Sequence, residues 1–257
     1  MSAVFGVGDK VLLVDGKERR YLITLAEGGE FHSHTGVISH SELMGADEGS
    51  TFRTSRGARF TAFRPTLADF VLKMPRGAQV IYPKDLGPLL LLADIRPGVR
   101  VLESGVGSGA LSMAMLRAGA DIVGYELREE FAERATTNVR GFLSEELASH
   151  YRIEVRNAYD GIDESDLDRV VLDLPEPWQV VKHAERALHP GGILVSYTPT
   201  IVQAVHLRET LEGSRFSMAE TLEVLHRSWH IEGQSVRPDH RMVAHTGFLT
   251  AARLLAG

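Results

Sequence analysis

The chemistry in this sequence is concentrated in three short stretches. Residues 102–111 read LESGVGSGAL, so Glu103 precedes Gly105, Gly107 and Gly109 at alternate positions. Residues 121–126 read DIVGYE and end on Glu126, and residues 170–178 read VVLDLPEPW, in which prolines stiffen the chain after Asp173. Closely spaced glycines let a backbone turn sharply and approach a ligand with no β-carbon in the way. Carboxylates beside such a loop offer acceptor oxygens and no donors, which suits an ammonium group or the hydroxyls of a ribose.

The spacing narrows the ligand. The dinucleotide pattern G-x-G-x-x-G would need a glycine where Ala110 stands, and no Gly-Lys-Ser or Gly-Lys-Thr ending marks a phosphate loop. A methyl donor built on adenosine, S-adenosylmethionine, suits what remains. Glu103 would face its cationic amino-acid portion, Glu126 its ribose hydroxyls, and Gly105, Gly107, Ser108 and Gly109 its close backbone cradle. Asn157, at the end of an expected third strand, is placed for the adenine edge, and small Ala158 leaves room for the ring. Plainer readings stand beside these: glycines that only turn the chain, Glu126 as a solvated strand-end acid, and Asn157 as a polar turn residue.

Asp173 falls at the end of an expected fourth strand, at the border of the cofactor site, and is the candidate catalytic residue. Methyl transfer from a sulfonium is an in-line displacement, so a protein mainly orients the acceptor and handles the proton it loses. For adenine attacked at a ring nitrogen, a carboxylate accepting from the exocyclic amino group would stabilise the developing positive charge. The alternative is a helix-capping aspartate. Tyr82, in VIYPKD, either encloses the reacting centre or simply packs, and Trp178 is either a stacking rim or core.

The elements that must position these residues follow from periodicity. Residues 1–64 alternate short apolar runs (KVLLVD, RRYLITL, GVISH) with glycine turns, which predicts a small β-rich domain, a curled sheet or barrel. Residues 65–257 form the second domain. It begins with helices near Leu67–Lys73 and Leu86–Asp94 and a loop, PRGAQVIYPKD, between them. Strands are expected at 99–104, 121–126, 151–155, 169–172 and 192–197, with helices between them, including one over Trp178–Leu188. That alternation is an α/β, doubly wound parallel sheet of Rossmann-like type. Residues 220–231 and 245–255 read as a closing antiparallel hairpin joined by the charged loop SVRPDHRMVA.

Composition sets further bounds. With 257 residues and 44% hydrophobic content the chain can bury one substantial core and a small appended one. Cysteine is absent, which excludes disulfides, thiolate metal sites and a cysteine nucleophile. The 11 histidines are scattered without metal-ligand spacing, so no metal is expected. The start, MSAVFGVGDK, has no basic leader and no stretch suits a membrane span, so a cytoplasmic protein is expected. A net charge of -6 argues against an indiscriminate nucleic-acid coat. It leaves room for local basic clusters: Arg53, Arg56, Arg59 and Arg64, then Lys84, and Arg237 and Arg241 in the late hairpin, all candidates for RNA phosphates or for ordinary surface charge.

Taken together, FHSHTGVISHSELMG, RPTLADFVLKMPRGAQVIYPKD, LESGVGSGAL, LDLPEPW and HTGFLTAAR resemble the tRNA (adenine-58-N1)-methyltransferase family of bacteria and archaea, with features like its actinobacterial members. The resemblance spans nearly the whole chain. It implies S-adenosylmethionine as donor, ring nitrogen 1 of the T-loop adenosine as acceptor, Asp173 as the catalytic aspartate and Tyr82 as the tyrosine near the transferred methyl. It also implies a homotetramer. Asn157 departs from the acid frequent at its position in methyltransferases. The competing readings are a methyltransferase for another RNA, a protein or a small molecule, a noncatalytic RNA-binding protein, and, furthest from the glycine spacing, a nicotinamide oxidoreductase.

Overall fold

The computed structural model describes residues 4–77 and 79–257, which divide into two compact units, Met1–Met74 and Pro75–Gly257. In the first, β1 (Lys10–Asp15), β2 (Arg20–Thr24), β3 (Glu30–Ser33), β4 (Gly36–Ser39), α1 (His40–Leu43), β5 (Thr51–Arg53), β6 (Arg59–Phe63) and α2 (Leu67–Lys73) follow in order. Four strands form an antiparallel sheet, β2-β1-β6-β5, and β3 and β4 form a separate hairpin. Alternate residues Val11, Leu13, Phe60 and Ala62 point to one core with Phe5, Phe31 and Ile38. Tyr21, Phe31 and Phe60 meet edge to face, with ring centroids 5.4 to 5.9 Å apart.

The expected division after residue 64 separates α2 from the strands, whereas the contacts divide after Met74. The reason is local. Asp69 closes a capping box with Thr66 and accepts a 2.8 Å ion pair from Arg20 of β2, and Lys10 of β1 lies over the Phe70 ring. These contacts bind the helix to the strands.

The second unit contains α3 (Pro83–Leu92), β7 (Arg100–Ser104), α4 (Ala110–Arg117), β8 (Asp121–Glu126), α5 (Glu129–Phe142), α6 (Glu145–Ser149), β9 (Tyr151–Val155), β10 (Leu167–Leu172), a 3-10 turn at Pro177–Val180, α7 (Val181–Ala187), β11 (Leu188–Thr198), α8 (Ile201–Glu212), β12 (Phe216–Glu223), β13 (Trp229–Glu232), β14 (Ser235–Pro238) and β15 (Phe248–Leu254). Its seven-stranded sheet has the order β12-β15-β11-β10-β7-β8-β9. Strands β7 to β11 run parallel, and β15 and β12 add antiparallel at one side. Buried strands read as continuous apolar runs because helices cover both faces; VVL in β10 is one. In α5, Phe131, Ala135 and Val139 recur on one buried stripe.

From central β7 the chain moves outward to β8 and β9, then returns to β10 on the other side of β7. The order therefore reverses between β7 and β10, and a crevice opens at their carboxyl ends.

Three expectations need correction. Pro83, Lys84 and Asp85 belong to α3, since proline at the first helical position loses no hydrogen bond. The helix expected over Trp178–Leu188 is a 3-10 turn followed by α7, and Leu188 already opens β11. The late hairpin pairs β12 with β15 as expected, but β15 lies inside the sheet and β12 at its edge. The expected strand over 220–231 is broken: its end, from Trp229, becomes β13 and pairs with β14 from the charged connection, turning at Gly233 with φ 54°.

Candidate active site

The loop after β7 is fixed by its neighbours on both sides. Gly105 N donates to Tyr125 O of β8 at 3.0 Å, and Asp173 N donates to Ser104 O at 2.9 Å. At Gly105, φ 85°, a β-carbon would lie 2.0 Å from the Asp173 carbonyl oxygen, so only glycine lets the ends of β7 and β10 approach this closely. Gly107 N donates to Glu126 Oε2 at 3.0 Å, while Glu126 Oε1 accepts from Arg128 N at 3.1 Å. Gly109, also left-handed, opens α4.

These elements border a cleft of about 580 Å³ lined by Ser104, Gly105, Glu126, Asn157, Ala158 and Asp173, among others. A narrower recess adjoins it, walled by Glu103, Ser108 and the segment 79–81. Every predicted cofactor residue but Gly109 borders one or the other; Gly109 lies behind, shaping the turn. Asn157 Oδ1 accepts from Tyr159 N at 3.1 Å in an Asx turn.

Arg128 and Arg156 line the cleft, and Arg128 lies 3.8 Å from Glu126, but neither pairs with the two acids deeper in the site. Glu103 is buried and accepts from Ser112 Oγ at 2.6 Å. Burial, reinforced by Asp173 and Glu126, pushes its carboxyl up to about 8 against the Ser112 hydrogen bond. Burial, then Glu126, pushes half-buried Asp173 up to about 7. Among the described residues no lysine or arginine pairs with either acid, and no side chain donates to the Asp173 carboxylate. Ser108 Oγ is buried with no hydrogen-bond partner. Carboxylates without counter-charge and an orphaned hydroxyl are the donor set that a polar, cationic ligand would complete.

Tyr82, partly buried, sits at the N-cap of α3. Two residues on, Lys84 is not a surface cation. Its ammonium is almost fully buried, donating to Asp85 Oδ1 at 2.7 Å and to Val224 O at 2.6 Å. Asp85 Oδ2 accepts from Thr246 Oγ1 at 2.7 Å, and Thr246 O accepts from Tyr197 OH at 2.5 Å. An RNA-phosphate role for Lys84 is therefore corrected to an internal tie from YPKD to Val224, while its partner Asp85 ties the same segment to Thr246 of HTG. Trp178 is partly buried, packed against the core and edge-on to His206 at 5.1 Å.

The remaining predicted basic residues lie in both units. Arg53 and Arg59 face each other across β5 and β6, with Arg56 in the turn between, all exposed. Arg64 is tied down by Asp9 at 3.1 Å and Val4 O at 3.0 Å. Arg237 on β14 and Arg241 beyond it are exposed. Sequence reasoning missed Asp85, Ser112, Tyr151, Tyr197 and Thr246, whose partners are distant in the chain. Among the described residues no group of histidines and acids could hold a metal, and no helix is long and apolar enough to cross a membrane.

Residues 61–246 match the family described as the tRNA methyltransferase complex GCD14 subunit, and residues 4–52 match the TrmI-like N-terminal family. The chain belongs to the GCD14 family. This GCD14-family chain is 38% identical over 246 residues to the tRNA (adenine(58)-N(1))-methyltransferase TrmI of Thermus thermophilus, covering 95% of the chain and 96% of that protein. A solved structure from Thermotoga maritima described as a SAM-dependent O-methyltransferase superposes with TM-score 0.94 at 32% identity, over 99% of this chain and 96% of that one. The tRNA (m1A58) methyltransferase TrmI of Aquifex aeolicus superposes with TM-score 0.87 at 29% identity, over 99% and 100%. The doubly wound sheet of this GCD14-family chain is thus the S-adenosylmethionine-dependent methyltransferase fold, and S-adenosylmethionine is its cofactor.

Proposed function

We propose that this protein transfers a methyl group from S-adenosylmethionine to ring nitrogen 1 of adenosine 58 in the T-loop of tRNA. The observation that carries the reading is Asp173: an acid at the reversal point of the sheet, beside the glycine loop, with no donor of its own. Family membership supports the acceptor.

When bound, S-adenosylmethionine supplies a methyl group on a sulfonium, open to in-line displacement. Glu103 and the orphaned Ser108 hydroxyl hold the amino-acid end, Glu126 the ribose, and Asn157 with Ala158 the adenine. Asp173 accepts a hydrogen bond from the exocyclic amino group of the target base, disperses the charge that develops on the ring and takes up the proton released. Tyr82 encloses the reacting centre. A T-loop adenosine is tucked into the folded tRNA, so the base must be extruded before it reaches Asp173.

The small unit serves RNA binding. Arg53 and Arg59 oppose one another across a strand pair, an arrangement that is unfavourable until an anion such as phosphate lies between them. Arg56 adds to that surface and Arg64 steadies it, while exposed Arg237 and Arg241 of the large unit are further candidates for RNA phosphates. Four copies assemble; exposed apolar side chains on and near the late hairpin, Trp229, Ile231, Val236 and Met242, support an assembly surface. The enzyme acts in the cytoplasm, with its tRNA.

Unmodified elongator tRNA incubated with labelled S-adenosylmethionine, then digested and analysed by mass spectrometry, tests the reading. The expected product is 1-methyladenosine confined to the T-loop. Donor binding without methylation of tRNA would overturn the acceptor and leave a methyltransferase for another substrate.

A further inference from the structure

Beneath the glycine loop lies a buried chain of hydrogen bonds that the proposed reaction does not itself use. Tyr151 opens β9, Ser112 lies in the first turn of α4, and Glu103 lies in β7, so three elements converge on it. The Tyr151 hydroxyl is 2.9 Å from Ser112 Oγ, which is 2.6 Å from Glu103 Oε2. With Glu103 ionised, the direction of each bond is determined. A carboxylate can only accept, so Ser112 gives its single proton to Glu103, and the phenol must donate to Ser112. Glu103 and Ser112 are both buried, and the Tyr151 hydroxyl is held well above its ordinary range by burial and by Glu103, so the phenol keeps its proton.

Held from the α4 side, Glu103 presents its other side to the recess that it shares with Ser108. We propose that Tyr151 and Ser112 are positioning residues of the methyl-donor site, fixing the Glu103 carboxylate so that it faces the cationic amino-acid end of the donor. This rests on the reading that Glu103 serves that end. Neither hydroxyl touches the donor. Without the phenol, the Ser112 hydroxyl is free to rotate and Glu103 loses its fixed orientation. Without Ser112 the carboxylate loses the one side-chain donor it has among the described residues.

The test separates the two halves of the ligand. Full-length wild type, Tyr151→Phe and Ser112→Ala are titrated calorimetrically with S-adenosylmethionine and with 5′-methylthioadenosine, which keeps the adenosine half and lacks the amino-acid portion. S-adenosylmethionine affinity is expected to fall about tenfold in Ser112→Ala and about threefold to fivefold in Tyr151→Phe. Affinity for 5′-methylthioadenosine should stay within about twofold of wild type, and kcat at saturating donor should hold while KM rises. The double variant should bind no worse than Ser112→Ala alone, because the phenol acts only through the serine. A parallel loss of both ligands would make the residues merely structural and overturn the proposal, as would unchanged binding of both. Wild type that binds neither ligand would instead sink the cofactor assignment itself.

Discussion

Two kinds of buried acid in the large unit make opposite statements. Asp85 has its positive partner built in: Lys84 on one oxygen, Thr246 on the other, and the lysine itself further satisfied by Val224 O. Glu103 and Asp173 are surrounded by more acid and receive no basic side chain among the described residues. Both arrangements remove carboxylates from water, which is unfavourable unless something compensates. Where the chain provides the counter-charge the acid is architecture. Where it withholds it, the compensation must come from a proton or from a ligand.

The largest effect should come from changing the acid that no protein group supports. Asp173→Asn keeps the shape and removes the charge, and kcat for tRNA methylation is expected to fall about 10²- to 10⁴-fold. Donor affinity measured by calorimetry should change about threefold or less. The wild-type rate should rise with pH through about 7, since the carboxylate works ionised and burial with Glu126 holds it protonated below that. Equal losses of turnover and donor affinity would break the distinction between this acid and the binding acids.

Much of this site was legible in the sequence, for reasons visible in particular residues. Gly105, Glu126 and Asp173 lie at strand ends, and apolar runs with turns between them locate strand ends well. The parallel sheet followed from the same alternation. What the sequence hid depends on contacts between distant segments. Lys84 reads as a surface cation until Asp85 and Val224, remote from one another in sequence, close around it. Ser112 and Tyr151 read as a helix serine and a strand tyrosine until the sheet order brings β9, α4 and β7 together. Residues 229–231 of β13 read as the end of one long strand, and β14 as loop, because both strands are short and exposed.

The paired acid gives the next test. Lys84→Met removes the built-in cation and leaves Asp85 buried without one, which should cost about 3–5 kcal/mol of stability. For a chain of this size that corresponds to a fall in Tm of about 2–4 °C per kcal/mol, read by thermal denaturation. Adding Asp85→Leu should recover much of the loss, since a well-packed apolar pair can replace a buried ion pair. A Lys84→Met protein as stable as wild type and weaker for tRNA would return Lys84 to the RNA surface and erase the contrast.

The smallest effect should have the opposite sign. Glu103 ionises near 4.5 in an unfolded chain and at about 8 in the fold, chiefly through burial. Between those values the folded state keeps a proton that the unfolded state has lost, so the ligand-free protein loses stability as pH rises from about 4.5 towards 8. Glu103→Gln removes that dependence. The variant should match wild type near pH 4, where both states of the wild type carry the proton. It should be more stable by about 1–3 kcal/mol near pH 8, as a rise in Tm without ligand. Saturating S-adenosylmethionine should reverse the order, because a ligand that binds only the folded state stabilises it by RT ln(1 + [L]/Kd), and only the wild type retains the carboxylate for the donor's ammonium. A Glu103→Gln protein less stable than wild type at both pH values would mean that this acid, like Asp85, is compensated from within.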